Sequence, residues 1–399
     1  MKEKLFNFFD HAEFVSICLL LFYIPISNAL IEIFAGFVIF FFLLKNIMKP
    51  DLNSLKTREF FVIMLFFIFS AISVVNSGEF LKKSLITLFF KWLENILVFV
   101  AVCLALSKSR KKIMICLGVF LFSAFLINID GIFQKITQND FMRNRPLIQL
   151  FKGNKSYAIT ASFQHYNDLG AYLVFILSLA IMAFISLKRV VLRTAVFVLI
   201  IMSLACLLLT YSRGSWIGFF IASVLMMYFS KEYSKILPLL LVFCFFLFLP
   251  FFKDRSFLMF KYMGVAGRFH YWYPAWRMVI ENPFLGKGIG TFMDYFAKYQ
   301  PSINVSYAHN CYLQIWAEVG IFGLLSFLWF IFLVVTRGVK AYLLNKDGLL
   351  LGLVCGFCGF LFLILFDTHL YSLQLSVFFW FITGVIVALT NNAIRPKDN

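Results

Sequence analysis

The sequence predicts an all-α polytopic membrane protein, and three observations support this: composition, the length of the apolar runs, and the placement of Lys and Arg. The chain of 399 residues is 62% hydrophobic and 20% aromatic, and only 14% of its residues are charged. An ordinary soluble domain is about half apolar and about a quarter charged. The mean hydropathy of +0.89 agrees with this contrast. We therefore exclude a water-soluble enzyme and a disordered chain, and expect residues 1–399 to form a single integral membrane domain.

Apolar runs separated by charged or polar residues define about twelve predicted spans, each near the roughly 20 residues that a helix needs to cross a bilayer. They lie at 13–28, 30–44, 60–76, 85–106, 113–130, 169–187, 194–211, 214–230, 236–252, 310–336, 348–366 and 371–390. Two connections are long: residues 131–168, and the larger 253–309 between the ninth and tenth spans. Because long loops in compact proteins are commonly functional, we expect the site to involve them.

The distribution of positive charge predicts the orientation. Lys and Arg number 36 against 19 Asp and Glu, which gives a formal charge of +17. Short basic clusters lie near both termini and in every second connection, at 45–58, 108–112, 188–193, 231–235 and 337–346. Short cytoplasmic loops are enriched in Lys and Arg. We therefore predict cytoplasmic termini, two long periplasmic loops, membrane lipids as neighbours and no nucleic acid partner.

Histidines concentrate at the predicted outer boundary, which holds four of the five: His165, His270, His309 and His369. His309 stands where the long outer loop meets a helix, so its imidazole can face both water and a lipid-embedded substrate. Histidine is the side chain best suited to proton transfer near neutral pH. Below it, Glu318 is an ionisable group at membrane depth that requires a partner, and Gly320 and Gly323 predict close helix packing. The alternative is an interfacial histidine above a helix-packing glycine pair.

Two arginines on the same side are candidate ligands for an anion. Arg213 occupies a very short outer turn, and Arg268 shares one predicted helix face with Trp272 and Trp276. A guanidinium at the edge of the hydrocarbon requires an anionic partner, and its planar fork suits phosphate oxygens. The alternative is that these side chains only reach lipid headgroups. No outer Asp-rich motif offers a metal site, and no cofactor is expected.

Several motifs in this order resemble the O-antigen ligase and O-antigen polymerase superfamily. They are Phe163–Tyr172 with Asn167, Ser212-Arg213-Gly214, Gly267-Arg268-x3-Trp272 leading to Pro283-x2-Gly286-x-Gly288, and His309-Asn310 followed by Gly320-x2-Gly323. The strong part of the resemblance covers about 205–336, roughly a third of the chain.

The resemblance implies a GT-C-like glycosyltransferase architecture in the bacterial inner membrane. The activity it implies is transfer of a glycan from an undecaprenyl-pyrophosphate carrier on the periplasmic side. The His-Asn and Gly-x2-Gly pattern favours lipid A core oligosaccharide as the acceptor. O-antigen polymerases and pilin-type O-oligosaccharyltransferases use the same lipid-linked donor, and both remain alternatives.

The chemistry of such a transfer fits the candidate residues. An acceptor hydroxyl must lose its proton, and the charge that grows on the pyrophosphate must be neutralised. His309 is the expected base or acceptor-orienting group, and Arg213 and Arg268 are the expected pyrophosphate ligands in an inverting, metal-independent reaction. The expected supporting residues are Asn310, Asn167, Arg277 and Glu318.

Two other classes of protein remain as alternatives. A transporter or flippase would line a pathway with charged groups such as Glu32 and Glu94, although no internal repeat supports this class. A non-catalytic membrane scaffold would use the arginines and the histidine only to contact headgroups.

Overall fold

The structure is a computed structural model that describes residues 2–50, 57–150, 157–247, 265–301 and 306–394; for residues 247, 265–268 and 394 it describes the backbone alone. Some Lys and Arg residues of the predicted connections, long loops and C-terminus lie outside the described residues, at positions 56, 152, 155, 253, 255, 261, 395 and 397. The end of the predicted span 236–252 lies outside them as well. Some of the two predicted long loops also falls outside, at 151–156, 253–264 and 302–305.

Helices account for almost all of the described chain. They are α1 Lys2–Tyr23, α2 Asn28–Met48, α3 Arg58–Ser73, α4 Leu81–Thr87, α5 Glu94–Leu106, α6 Arg110–Thr137, α7 Tyr166–Ser186, α8 Val190–Leu209, α9 Arg213–Ser230, α10 Tyr233–Leu247, α11 Val265–Glu281, α12 Phe292–Tyr299, α13 Cys311–Asn345, α14 Gly348–Leu363 and α15 Leu373–Ile394. Short 3-10 turns cover Val74–Phe80 and His369–Tyr371, and a π turn covers Leu88–Leu93.

The all-α polytopic membrane architecture is confirmed. Among the described residues, eight helical segments are long and apolar enough to cross a membrane, and shorter apolar helices cover Tyr233–Phe246 and Gly348–Leu363. Every predicted span overlaps a helix, but one of the eight segments, Arg58–Leu106, contains two predicted spans. The number twelve therefore stays a prediction. The exception to the all-α pattern is a two-stranded antiparallel ribbon, β1 Ile148–Gln149 and β2 Tyr157–Ala158, in the first long connection.

Polar residues mark where several helices begin. The side chains of Ser27, Ser109, Ser212 and Asn310 each accept a hydrogen bond from the backbone N–H three residues later. Asp347 accepts one from the N–H of Leu349. Such N-caps satisfy backbone donors that have no partner within the helix. The apolar runs therefore set the helix lengths, and these polar residues set the starting points.

Helices α7, α14 and α15 form the enclosed centre of the fold. In the apolar windows of α7 and α15, 83% and 94% of the residues are buried. A Cβ atom at Gly352 would lie 2.7 Å from the carbonyl oxygen of Ser178, and one at Gly359 would lie 2.6 Å from that of Gly218. Small residues let helix backbones approach closely in membranes. These glycines of α14 therefore allow its tight packing against α7 and α9.

The boundaries of the two long connections differ from the predicted ones. Helix α6 continues to Thr137, seven residues into the predicted first loop. The second long connection contains α11 and α12, which pack against α13. Polar residues near the end of α6 interrupt the apolar run that ends the predicted span, although Asn128 and Gln134 are buried and hydrogen-bonded to Ser203 and Thr160.

We expect Lys111 to face the cytoplasm and His270 to face the periplasm, since both side chains are exposed and this orientation keeps the short basic clusters inside. Single cysteines at these positions, placed in a variant that lacks the eight native free cysteines, can be treated with a membrane-impermeant thiol reagent on whole spheroplasts. Only the cysteine introduced in place of His270 should react before lysis, and both should react after it. Labelling of the Lys111→Cys variant from outside would reverse the orientation.

Candidate active site

The candidate site is centred on His309, which lies two residues before the start of α13. Its φ of 48° is in the left-handed region, where histidine is among the few non-glycine residues that are enriched. Its Nδ1 atom lies 3.2 Å from Oδ1 of Asp367, in the turn after α14. Its Nε2 atom lies 3.3 Å from Oγ of Ser306, and the ring of Tyr271 contacts the imidazole edge-on at 5.0 Å. These contacts hold the imidazole in place. The side chain is still 36% exposed, so it remains accessible.

Asp367 is the partner that orients His309. Its Oδ2 accepts a hydrogen bond of 2.7 Å from Nδ2 of Asn167, and its Oδ1 accepts one of 2.8 Å from the N–H of Thr368. Burial raises the pKa of Asp367, but the charge of His369 and the hydrogen bond from His309 outweigh burial, so that the pKa lies well below its ordinary value. An ionised carboxylate favours the tautomer with the proton on Nδ1 of His309. Nε2 is then the basic nitrogen.

A second Asp–His pair lies beside the first. Nδ1 of His369 is 2.9 Å from Oδ1 of Asp168, and the His369 side chain is only 2% exposed. Burial lowers the pKa of His369, but the charge of Asp367 and the contact with Asp168 raise it above its ordinary value overall. His369 is therefore suited to remain protonated and to keep Asp367 ionised. Its burial separates it from any acceptor, in contrast to His309.

His165 completes the cluster from the start of α7. Its Nδ1 accepts a hydrogen bond of 3.2 Å from the N–H of Asn167, which caps the helix. Burial lowers the pKa of His165. The charges of Asp367 and Asp168 raise it and that of His369 lowers it, and the pKa lies below its ordinary value overall. The cap holds the first turn of α7 in the position from which Asn167 reaches Asp367. The sequence predicted Asn167 as a supporting residue. In the structure Asn167 contacts Asp367, and Asp367 in turn contacts the candidate base His309.

Arg213 is the first residue of α9, and its side chain is half-buried. A Cβ atom at the next residue, Gly214, would lie 3.3 Å from Leu363 at the end of α14. Since Asp367 follows Leu363 by four residues, the start of α9 lies at the same end of the helices as the His309 cluster. Arg213 also lies close enough to Tyr166 to interact with it electrostatically. The structure therefore brings Arg213 to the membrane boundary that holds the candidate base.

Arg268 lies on α11, as the predicted helical spacing required, but its side chain is outside the described residues. Tyr271 follows three residues later on the same helix and contacts the His309 ring. Three residues of α-helix rise about 4.5 Å. The backbone of Arg268 is thus less than one turn along α11 from the residue that touches His309. Arg277, two turns further on, is 3.6 Å from Glu281, so its partner is within its own helix.

Glu318 has four hydrogen-bond partners, which answers the predicted need for one. Its carboxylate accepts hydrogen bonds from the backbone N–H groups of Gly290 and Phe292, from the Gln314 side chain, and from the Tyr371 hydroxyl. It is 1% exposed. Glu318 therefore holds the segment after α11 and the turn after α14 against α13, rather than facing a substrate.

Gly320 interrupts α13 with φ 81° and ψ 177°, and a loop enters the interruption. The N–H of Ile321 donates to the carbonyl of Pro283 at 2.9 Å, and a Cβ at Gly320 would lie 2.1 Å from the carbonyl oxygen of Phe284. The close neighbour at Gly320 is thus a loop, where the sequence predicted a helix, because glycine freed the backbone from helical geometry. A Cβ at Gly323 would lie 2.2 Å from Val319 of the same helix and 3.9 Å from Phe69 of α3, so the tightest neighbour here is within α13 and α3 lies at ordinary contact distance.

Three residues at the site were not singled out from the sequence. Asp367 and Asp168 form the two Asp–His pairs, and the Nζ atom of Lys91 donates to the carbonyl of Tyr371 at 3.0 Å. The signal for Asp367 was present, since a carboxylate and His369 share a short outer turn between two apolar runs. Lys91 is an ionisable group inside a predicted span, which is the type of residue that marks a functional region.

Asn310, predicted as a supporting residue, caps α13, because its side chain accepts a hydrogen bond of 3.0 Å from the N–H of Leu313. It therefore fixes the helix start that carries His309. Among the described residues, no group of three or more His, Cys, Asp or Glu side chains is arranged to hold a metal ion.

Comparison with known proteins supports the resemblance stated from the motifs. Residues 197–328, about a third of the chain, match the family described as O-antigen ligase. This segment contains Arg213, Arg268, His309, Glu318 and the whole of α11. A search of curated protein sequences gives no match to the chain. The matched segment is thus similar to a family whose members are membrane glycosyltransferases, in agreement with the resemblance to the O-antigen ligase and polymerase superfamily.

Proposed function

We propose that the chain is an O-antigen ligase-like glycosyltransferase that moves a glycan from undecaprenyl pyrophosphate to the lipid A core oligosaccharide. In this proposal the reaction takes place at the periplasmic face of the bacterial inner membrane. The observation that carries the proposal is the contact of 3.2 Å between His309 and Asp367. His309 lies just before the start of α13, within the segment that matches the family. An accessible imidazole oriented by a carboxylate is an arrangement suited to a general base.

In the proposed reaction, Nε2 of His309 takes the proton of an acceptor hydroxyl. The acceptor oxygen forms a bond to the anomeric carbon while the bond from that carbon to the pyrophosphate oxygen breaks. The undecaprenyl pyrophosphate leaves with the bonding electrons. Asp367 keeps the imidazole oriented and stabilises its protonated form. Attack from the side opposite the leaving group inverts the anomeric configuration, and no metal is expected to take part.

The leaving pyrophosphate requires positive charge at the membrane boundary. Arg213 stands at the N-terminus of α9, where the helix dipole also favours an anion. Arg268 lies on the helix that contacts His309 through Tyr271. We assign both arginines to the pyrophosphate, because a bidentate guanidinium stabilises charge that develops on phosphate oxygens.

Transfer by purified protein tests the proposal directly. The full chain in detergent is supplied with a defined undecaprenyl-pyrophosphate-linked glycan and one of three acceptors: lipid A core oligosaccharide, a second lipid-linked glycan, or a pilin-type peptide. Product with the first acceptor, without nucleotide or ion gradient, supports a ligase. Product only with the second or third acceptor would instead indicate a polymerase or an O-oligosaccharyltransferase. Absence of product with all three, under conditions in which the donor binds, would contradict the proposal.

The transporter alternative places Glu32 and Glu94 in a pathway. The two side chains interact electrostatically, but Glu32 is exposed on the outside of α2. A pathway residue is expected to face the bundle interior or a water-filled cavity. Glu32 therefore does not face the bundle interior, whereas Glu94 is half-buried.

Exchange of Arg213 or Arg268 for Lys is expected to slow transfer by about 5- to 150-fold, although the charge is kept. The reason is that lysine cannot make the planar bidentate contact with phosphate. Rates are measured with purified variants at saturating acceptor. Arg193→Lys, at an exposed arginine in the first turn of α8 and away from the His309 cluster, serves as the matched control and should change the rate little. Unchanged turnover in both test variants would remove the two arginines from the proposed mechanism.

A further inference from the structure

A large groove lies at the end of the helices opposite the His309 cluster. Helices α6 and α8 contact each other nearer the site, where Nδ2 of Asn128 donates to Oγ of Ser203 at 2.8 Å. Further along they leave a groove of about 1150 Å³ between them, which α7 closes from behind. We call it the α6–α8 groove. Its apolar lining includes Leu117, Gly118, Leu121, Leu179 and Val196.

The groove is open to the side and apolar along its walls. A Cβ atom at Gly118 would meet no other atom within 4 Å, so a side chain added at this residue would extend into the groove. Ordinary small-molecule sites enclose about 300–1,000 Å³. An unfilled apolar space of this size would forfeit the dispersion contacts of every residue in its lining. In a bilayer, a lipid acyl chain is the group that can fill it from the side.

The rim of the groove is basic. Arg110 and Lys346 line it, and Asp347 is the acidic residue among the described lining residues. Asp347 is already paired with Arg110 at 2.6 Å. Two further exposed basic residues lie nearby in the chain: Lys111 follows Arg110 on α6, and Arg189 immediately precedes α8. The rim therefore carries an excess of positive charge, which complements an anionic headgroup and has no comparable complement for a zwitterionic one.

The rim also lies at the membrane surface opposite the candidate active site. Helix α13 begins beside His309 and ends at Asn345, which lines the rim next to Lys346. The groove is therefore separated from the proposed donor and acceptor positions by the length of a membrane span. We propose that the α6–α8 groove binds an anionic phospholipid of the leaflet opposite the active site, with an acyl chain between α6 and α8 and the headgroup phosphate at Arg110 and Lys346.

Native mass spectrometry of the full chain tests this proposal. The protein is reconstituted in nanodiscs containing equal amounts of phosphatidylglycerol and phosphatidylcholine, then released into detergent, and the retained lipids are counted. The wild type is expected to retain phosphatidylglycerol in preference to phosphatidylcholine. Gly118→Leu fills the groove and should reduce retention of phosphatidylglycerol by at least about tenfold. Lys346→Gln removes a rim charge and should reduce it about fivefold.

Each variant has a matched control. Gly36→Leu places the same side chain on α2, where a Cβ also meets nothing within 4 Å. Lys4→Gln removes an exposed charge from α1. Neither control should change lipid retention. Equal retention of the two lipids by the wild type, undiminished retention by Gly118→Leu, or an equal loss in Gly36→Leu would each overturn the proposal. The result does not depend on glycan transfer, so it stands or fails separately from the proposed enzymatic function.

Discussion

Replacement of His309 by alanine is expected to lower the rate of glycan transfer by about 10²–10⁴-fold, the range that a general base contributes. The fold should survive the change, because the imidazole is 36% exposed and contributes little packing. Carrier binding should survive as well, since the proposed pyrophosphate ligands are arginines on α9 and α11. The measurement is single-turnover transfer by purified protein with a defined lipid-linked donor, together with the Kd of the donor.

His309→Gln separates the two roles that the histidine could have. Glutamine keeps hydrogen-bonding capacity but cannot accept the proton, so a base requires that both variants be nearly inactive. Substantial activity in Gln and none in Ala would instead make His309 an acceptor-orienting group. His11→Ala is the matched control, because His11 is exposed and follows Asp10, which pairs with Lys112 near the start of α6, away from the His309 cluster. Wild-type rates in both His309 variants would exclude this residue from the site.

Much of the fold could be predicted because membrane helices are specified by local sequence. An apolar run near 20 residues has to satisfy its backbone hydrogen bonds within itself when it crosses a bilayer. The start of α9 at Arg213 and the start of α13 just after His309 could be predicted in this way to within a residue or two. The interruption at Gly320 could not, because hydropathy does not report backbone dihedral angles, and this residue has a positive φ within a predicted span.

The site could be predicted only in part, for a related reason. His309 and Arg213 stand out because each is a polar residue at a predicted boundary. Their partners come from distant segments, since Asp367 follows His309 by 58 residues and Asn167 precedes Asp367 by 200. No local pattern shows that the turns before α7 and after α14 meet at the start of α13. Glu318 was predicted to need a partner, but the loop that supplies its backbone donors became evident only from the path of the chain through Gly320.

Asp367 is the residue whose role the structure adds to the sequence, and Asp367→Asn is expected to reduce the rate of transfer by about 10²–10³-fold. The amide keeps the size of the side chain but loses the charge that orients Nδ1 of His309 and stabilises its protonated form. Because Asp367 acts through His309, it is a positioning residue. The loss should appear in kcat, with the KM for the acceptor nearly unchanged. Asp294→Asn, which removes an outer-side carboxylate paired with exposed Lys83, is the matched control and should leave the rate unchanged.

The conservative variant Asp367→Glu distinguishes positioning of the base from a merely structural role of Asp367. The pKa of Asp367 is held well below its ordinary value, so the wild-type side chain carries a negative charge at neutral pH. Glutamate restores this charge on a longer side chain and should recover part of the rate that Asp367→Asn loses. The melting temperature of Asp367→Asn should stay close to that of the wild type. A glutamate variant as slow as Asp367→Asn, together with a lowered melting temperature in both, would show that Asp367 supports the fold of the turn and does not act through His309.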